Sequence, residues 1–299
     1  MQTAETFMNW QAESLWLRLV ALLPGLSVEV LPSAGSTNTT LLDRARQGAD
    51  TQPCLLVAQT QTQGRGRMGR AWHSAEGASL TFSLSLPLSP GDWSGLSLAV
   101  GLALADALDP PVEGSAPRIG LKWPNDLWLI DGPGQGRKLG GILIETVATR
   151  GERVAVVGVG LNVQPLTAWS GAADAATSDW SQGHASLSEI DCGIDAPTAL
   201  ARVAEPLLRA LLRFQAVGFA PLVPLYARRD VLRGQPVTTV RPATPTTSAL
   251  ASEPDHDLDN WADGVDDQGA LLLRQADGVS RMLSGEVSVR VRRTAGKGA

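Results

Sequence analysis

The chain has 299 residues, of which 43% are hydrophobic and 18% charged, and its formal net charge is −5. This composition is typical of a globular protein with a large core, and the length favours two domains over one. The negative charge argues against a surface built for bulk binding to DNA, RNA or anionic lipid, so any basic site must be local. We therefore predict no DNA partner and no membrane partner.

The N-terminal apolar run, residues 15–23, is interrupted by Arg18 and follows acidic residues. It is too short for a membrane span and has the wrong charge order for a signal peptide, so it predicts an amphipathic helix. Cys54 and Cys192 are far apart and form no C-x-x-C pair. Neither a disulfide framework nor a zinc site is indicated, and a reducing cytoplasm is the expected location.

The first two hundred residues predict strands that alternate with helices. Polar residues 36–39 have the pattern of a helix cap. Strict alternation over residues 80–86 predicts a half-buried strand, and an Ala/Leu-rich helix is expected from Ser94 to about Leu108. Further strands are predicted at residues 119–123, 127–130, 139–145 and 154–159. These strands are expected to form a large mixed sheet.

The second part of the chain predicts a loop at residues 170–188, a helix at 197–215 and then short strands. The strands are expected at residues 236–240, 270–273, 280–283 and 287–291, with Asp277-Gly278 as a hairpin turn. Residues 241–263 are rich in Pro, Thr and Asp and are interpreted as an insertion. We predict a domain of residues 1–232 followed by a small all-β domain of residues 233–299.

A loop of residues 64–72, here called the Arg-Gly loop, carries three arginines and three glycines within seven residues. Glycines let backbone N–H groups turn inward, and arginines offer forked, permanently charged donors that match carboxylate and phosphate oxygens. Arg-Gly runs also occur as nucleic-acid-binding tails. Because this run lies once, between two apolar segments, the binding of an anionic small molecule is favoured.

Three further motifs follow, and each has an ordinary structural interpretation. Residues 122–127 (Lys-Trp-Pro-Asn-Asp-Leu) place an amide beside a carboxylate, which is also what a plain Asx turn does. Residues 136–145 bring two cations into a strand that contains a Gly pair, which suits either close approach to a ligand or a solvated strand start. Residues 158–162 end a buried strand with Gly-x-Gly before Asn162, and this motif alone is weak.

In this order and spacing the four motifs closely resemble the biotin protein ligase family, and the similarity runs from about Val28 to the end of the chain. The resemblance implies an α+β fold: a catalytic domain like that of class II aminoacyl-tRNA synthetases, followed by a small SH3-like β-barrel. It also implies an enzyme, biotin--[biotin carboxyl-carrier protein] ligase. Such an enzyme activates biotin with ATP as biotinyl-5′-AMP and transfers the biotinyl group to a lysine of the biotin carboxyl carrier protein of acetyl-CoA carboxylase.

The resemblance also assigns residues. Lys138 and Arg67 are the expected catalytic residues. The residues expected to bind biotin are Ser36, Thr37, Asn38, Gln61, Gly64, Arg65, Gly66, Arg67, Lys138 and Gly141. Those expected near ATP and the adenylate are Arg70, Trp72, Asn125, Asp126, Asn162 and Arg290. Asp126 is the expected Mg²⁺ ligand, because Mg²⁺ prefers carboxylate and phosphate oxygens. ATP and Mg²⁺ act as co-substrate and metal, and no tightly bound cofactor is expected.

Some family members carry an N-terminal helix-turn-helix domain that represses transcription. Only about 30 residues precede the Ser36 motif, fewer than such a domain needs, so we expect a monofunctional ligase. The expected oligomeric state is either a monomer or a ligand-dependent homodimer, and the sequence does not distinguish them. Two alternative functions stay open: a lipoate or octanoate protein transferase of the same fold, and a non-enzymatic biotin-sensing or nucleic-acid-binding protein.

Overall fold

The structure is a computed structural model that describes residues 8–48, 52–133, 135–149, 151–165, 183–240, 260–283 and 288–291. The helices are α1 (Ala12–Val20), α2 (Thr37–Arg46), α3 (Leu96–Leu108), α4 (Ala196–Val217) and α5 (Val223–Tyr226). One sheet contains β1 (Ser27–Ala34), β2 (Cys54–Gln61), β3 (Ser79–Pro87), β4 (Ile119–Lys122), β5 (Asp126–Gly132), β6 (Gln135–Ala148) and β7 (Arg153–Asn162). A second sheet contains β8 (Pro236–Val240), β9 (Asn260–Val265), β10 (Leu271–Gln275), β11 (Gly278–Met282) and β12 (Ser288–Val291).

The first sheet has the strand order β1-β2-β3-β7-β6-β5-β4. Strands β1 and β2 run parallel, and the other neighbours are antiparallel. The expectation of a large mixed sheet with helices is thereby confirmed. Helices α1, α3 and α4 share one core with one face of this sheet, while α2 packs on the opposite face.

The amphipathic helix predicted at the N-terminus is α1. Its residues Leu15 and Leu19 are buried, whereas Leu17 is exposed. Among the helices that the structure describes, none combines the length and the apolar character that crossing a membrane requires.

Strand β3 corrects one prediction, because both of its faces are buried. The alternation predicts that the hydroxyl residues face solvent, but all of them are buried, and α2 contacts Ser83. Ser83 is fully buried and bonds to two residues of α2, and Thr81 donates to the carbonyl of Ala58 at 2.9 Å. Hydroxyl groups can be buried at low cost when each has a partner, and this explains why an alternating pattern occurs in a fully covered strand.

The second sheet is antiparallel, in the order β11-β10-β9-β8-β12. The indole Nε1 of Trp123 donates to the carbonyl of Gly269 at 3.0 Å and so connects the two sheets. The insertion predicted at residues 241–263 needs correction at its end, because residues 260–263 begin strand β9; residues 241–259 lie outside the described residues. The α+β fold class is confirmed, and the division at residues 232 and 233 stays a prediction.

Candidate functional site

A row of residues crosses the face of the first sheet on which α2 lies. Lys122 in β4 pairs with Asp126 in β5, which pairs with Gly141 in β6, then Gly160 in β7 and Thr81 in β3. Residues paired across neighbouring strands point their side chains to the same face. We call this set of five paired residues the glycine row. Its members Gly141 and Gly160 have no side chain, so other groups can approach the backbone there.

A β-bulge determines which way Lys138 points. The register between β5 and β6 shifts at Leu139, so that Trp128 pairs with Lys138 while Leu127 pairs with Gly140. Without the extra residue, Lys138 and Gly141 would face opposite sides of the sheet, because side chains alternate along a strand. With it, the Lys138 ammonium reaches the glycine row and donates to Asp126 Oδ1 at 2.8 Å. The two side chains are 24% and 14% exposed.

The N-terminus of α2 forms a buried polar network above β3. Ser36 caps the helix by accepting from the Thr39 N–H, as predicted. Gln61 Oε1 accepts from both the backbone N–H and the hydroxyl of Thr37, at 2.7 and 3.1 Å. The Thr37 hydroxyl also contacts Ser83 Oγ, and Ser83 donates to Asn38 Oδ1, both at 2.6 Å. This network fixes four of the residues expected to contact biotin.

The Asn38 side chain occupies the space in which a side chain at position 158 would lie, so the network requires glycine there. A Cβ atom at Gly158 would overlap the side-chain amide of Asn38. Gly158→Ala is therefore expected to displace α2 and to lower the free energy of unfolding by about 1–3 kcal/mol, the usual cost of an extra core methyl group. Urea unfolding measures this loss. Gly91→Ala, where a Cβ meets nothing within 4 Å, is the control, and equal stability of the two variants would contradict the packing argument.

The Arg-Gly loop folds back on itself as a short hairpin. Trp72 N–H donates to the Gly64 carbonyl at 2.9 Å, and Gly66 N–H donates to the Arg70 carbonyl at 2.7 Å. A Cβ at Gly64 would collide with the Trp72 carbonyl, so the base of the hairpin requires glycine. At its tip Met68 has a φ of 57°, which is a left-handed conformation.

Trp72 returns from this hairpin to the glycine row. Its indole ring lies against Gly160, where a Cβ atom would overlap it. The indole Nε1 is buried and has no hydrogen-bond partner among the described residues. A buried donor of this kind costs free energy unless something accepts from it, so the position suits a ligand acceptor.

Two arginines connect the loop to the sheet. Arg65 contacts Thr39 Oγ1 and Glu145 Oε1, each at 3.3 Å. Arg67 donates to Asn125 Oδ1 at 3.4 Å. Burial lowers the pKa of Arg67, and the carboxylate of Asp126 opposes this shift. Because the ordinary arginine pKa is above about 12, the guanidinium keeps its charge at neutral pH in a partly desolvated position.

The far end of the site contains two amides. Asn125 donates to the Ile142 carbonyl at 2.9 Å, and Asn162 donates to the carbonyls of Lys138 and Ala185, at 3.3 and 3.0 Å. These bonds attach the turn before β5 and the end of β7 to β6 next to Lys138. Asn162 is 3% exposed, so its direct contacts are with the backbone around Lys138.

Most of the predicted residues meet around α2, the Arg-Gly loop and the glycine row. Arg70 is exposed at the tip of the loop, and Arg290 lies in β12 with its side chain outside the described residues. Sequence reasoning missed Glu145, which accepts from Asn38 Nδ2 at 3.1 Å as well as from Arg65. Its only signal was a carboxylate at the end of the Gly-pair strand. Ser83 gives no signal of this role, because its alternation with leucines predicts exposure to solvent.

The donor set for a metal is small. Asp126 is the carboxylate nearest Lys138, and the described residues contain no cluster of three or more His, Cys, Asp or Glu that would hold a metal ion. A site with one carboxylate suits Mg²⁺ that arrives with nucleotide phosphates, since Mg²⁺ commonly binds one or two carboxylates together with phosphates and waters.

Comparison with known proteins gives two family matches. Residues 30–162 match the Biotin/lipoate A/B protein ligase family, and residues 262–290 match the Biotin protein ligase C terminal domain. Among curated relatives, the bifunctional ligase/repressor BirA of Escherichia coli is 33% identical over 276 residues, which cover 91% of this chain and 77% of the relative. The biotin--[acetyl-CoA-carboxylase] ligase of Mycobacterium tuberculosis is 40% identical over 139 residues, 46% of this chain and 49% of the relative.

Comparison with solved structures finds the same family. The biotin protein ligase from Aquifex aeolicus in complex with biotin and ATP superposes with a TM-score of 0.66 at 26% sequence identity. The match covers 89% of this chain and 99% of the Aquifex chain.

Proposed function

The chain belongs to the biotin protein ligase family and is a biotin ligase, and we propose that its Arg-Gly loop, α2 network and glycine row carry out the reaction. The enzyme joins biotin to ATP as biotinyl-5′-AMP and passes the biotinyl group to a carrier-protein lysine. The observation that carries the assignment of the site is the placement of Lys138 Nζ at the glycine row, 2.8 Å from Asp126, whose carboxylate also acts on the charge of the half-buried Arg67.

In the first step an oxygen of the biotin carboxylate bonds to the α-phosphorus of ATP, and the bond to pyrophosphate breaks. Two anions must meet, and charge accumulates on the phosphorus in the transition state, so fixed cations lower the barrier. Arg67 and Lys138 are the proposed cations. The larger share falls to Lys138, because a compact ammonium on a flexible stem can follow the charge from carboxylate to phosphate.

The proposed binding roles of the other residues follow from where their side chains lie in the site. Thr37, Asn38 and Gln61 at the start of α2, together with Arg65 and the loop glycines, are proposed to hold biotin. Trp72 is proposed to lie along the adenylate and to donate its unpartnered Nε1 proton, with Asn125 and Asn162 nearby. In the second step the carrier lysine attacks the acyl carbon, an amide forms and AMP leaves.

The proposal includes Mg²⁺, a carrier partner and a location. Asp126 would hold Mg²⁺ delivered with ATP, and the metal would neutralise phosphate charge. The acceptor is proposed to be the biotin carboxyl carrier protein of acetyl-CoA carboxylase, in keeping with the names of the M. tuberculosis and Paracoccus denitrificans relatives. The cytoplasm is the proposed location, because ATP and carboxylases are found there.

Two other functions are not favoured. The family model over residues 30–162 includes lipoate ligases, but the second match, over residues 262–290, is to a domain named for biotin protein ligases. A purely sensory protein would not need a lysine held at an anion site beside a carboxylate. The relatives from E. coli and M. tuberculosis and the solved structure from Aquifex aeolicus bear the names of ligases.

The test of the proposal is an exchange assay with two acids. We expect biotin-dependent exchange of labelled pyrophosphate into ATP, and transfer of labelled biotin to a purified carrier domain when ATP and Mg²⁺ are present. The same assay with lipoate serves as the control and is expected to stay at background. Exchange with lipoate alone would reverse the assignment, and binding of biotin without any exchange would support a sensor.

A further inference from the structure

A short segment, Gly183–Glu189, lies against β6 at Lys138, and we call it the strap. It contains the end of the loop predicted at residues 170–188, of which residues 170–182 lie outside the described residues. Lys138 N–H donates to the Gly183 carbonyl at 3.2 Å, and the Ala185 N–H donates to the Lys138 carbonyl at 2.9 Å. The strap thus continues the hydrogen bonding of β6 where β7 ends at Asn162.

Arg137 fastens the strap to the hairpin formed by β5 and β6. Its guanidinium contacts both carboxylate oxygens of Glu189, at 3.1 and 2.8 Å, and the carbonyl of His184 at 3.4 Å. On the other side it contacts both oxygens of Asp131, at 2.9 and 3.0 Å. All five N–H donors of the guanidinium are thereby used, in the forked geometry that makes arginine–carboxylate pairs rigid.

Glu189 has a second role inside the strap. Its Oε1 accepts from the Ser186 N–H at 3.0 Å, which completes a capping box around the turn of residues 187–189. The bonds from Arg137 lower the pKa values of Glu189 and Asp131, so both carboxylates are ionised at neutral pH. The same side chain therefore shapes the strap and attaches it to β6.

We propose that Arg137 and Glu189 are positioning residues for Lys138: their ion pair holds the strap against β6 and so fixes the Lys138 backbone beneath the glycine row. This inference rests on the proposed function, in which Lys138 meets the reacting carboxylate and phosphate. Arg137 and Lys138 are neighbours on a strand and point to opposite faces, so Arg137 acts through the backbone and not on the substrate. A loosely held cation stabilises a transition state less well than a fixed one.

Glu189→Gln tests the inference, because glutamine keeps an oxygen for the Ser186 N–H but loses the charge that faces Arg137. We expect kcat for biotin-dependent ATP–pyrophosphate exchange to fall about tenfold, while KM for biotin changes by less than about twofold. Hydrogen exchange at the Ala185 amide should become about tenfold faster. Asp131→Asn is the matched control, since it removes the other carboxylate from the same guanidinium without touching the strap, and it should change neither quantity.

Specific results would overturn the proposal. Faster exchange at Ala185 with an unchanged kcat would show that the strap does not position Lys138. An equal loss of kcat in Asp131→Asn, or an unchanged Ala185 amide in Glu189→Gln, would show that the ion pair does not act through the strap. Failure of the proposed function is distinguishable, because it appears in wild-type protein as absent adenylate formation, whereas exchange at Ala185 reports on the strap in either case.

Discussion

Lys138→Ala is expected to lower the rate of biotinyl-5′-AMP formation by about 10²–10³, the loss usually seen when one fixed donor to a developing charge is removed. The Lys138 ammonium is the cation held at the bulge of β6, where it faces both Asp126 and the space over Gly141. Its removal also leaves the Asp126 carboxylate without that partner, which adds repulsion toward arriving phosphates. Biotin-dependent ATP–pyrophosphate exchange measures the loss.

The fold should survive this change. The backbone bonds of Lys138 to Gly183 and Ala185 do not involve its side chain. Urea unfolding of Lys138→Ala is therefore expected to stay close to wild type. Arg274→Ala, which removes a cation from the exposed ion pair with Asp263 in the second sheet, is the matched control and should keep full activity.

Chemically prepared biotinyl-5′-AMP separates the two steps. If Lys138 acts in the first step, Lys138→Ala should still transfer biotin from the preformed adenylate to the carrier domain at a rate well above its rate from biotin and ATP. Near-normal pyrophosphate exchange in this variant would remove Lys138 from the catalytic role.

The sequence predicted the parts of the site better than their arrangement. The cap at Ser36, the Arg-Gly loop and the Gly-pair strand carry local signals, because helix caps and glycine-rich turns depend on nearby residues. The glycine row carries no such local signal, because its register depends on a bulge at Leu139 that shifts β5 against β6. Nothing in the local pattern specifies which residue of a neighbouring strand stands opposite Gly141.

Several strands of the first sheet also extend beyond their predicted bounds. Residues 139–145 were assigned to a strand that extends over Gln135–Ala148, because the glycine and the two cations at its start are typical of loops. Those residues are strand because their backbone pairs with β5, and the strap adds a second pairing at Lys138. Arg137 contacts Asp131 within the same hairpin and Glu189 in the strap, 52 positions further along the chain. Tertiary pairing of this kind overrides local propensity, and Glu145 and Glu189 were missed for the same reason.

Gly141→Ala is expected to leave stability unchanged and to raise KM for biotin by at least about tenfold, because one methyl group would enter the space over the glycine row. A Cβ at Gly141 would stand 3.5 Å from Asp126 Oδ1 and 3.7 Å from Lys138 Nζ, which are ordinary contact distances, so the free protein accommodates it. A ligand that approaches the backbone at Gly141 would meet that methyl group.

The comparison with two other glycines makes this outcome specific to the site. Gly158→Ala should destabilise the fold, since the new methyl group meets Asn38 inside the core, whereas Gly141→Ala meets nothing closer than 3.5 Å. Gly132→Ala, at the end of β5 with nothing within 4 Å, should change neither stability nor KM. Normal biotin KM in Gly141→Ala would mean that biotin does not lie against this glycine, and a large loss of stability would mean that the row is packed more tightly than its distances indicate. The expected pattern, full stability with impaired binding, occurs only where a glycine is kept for a ligand and not for the fold.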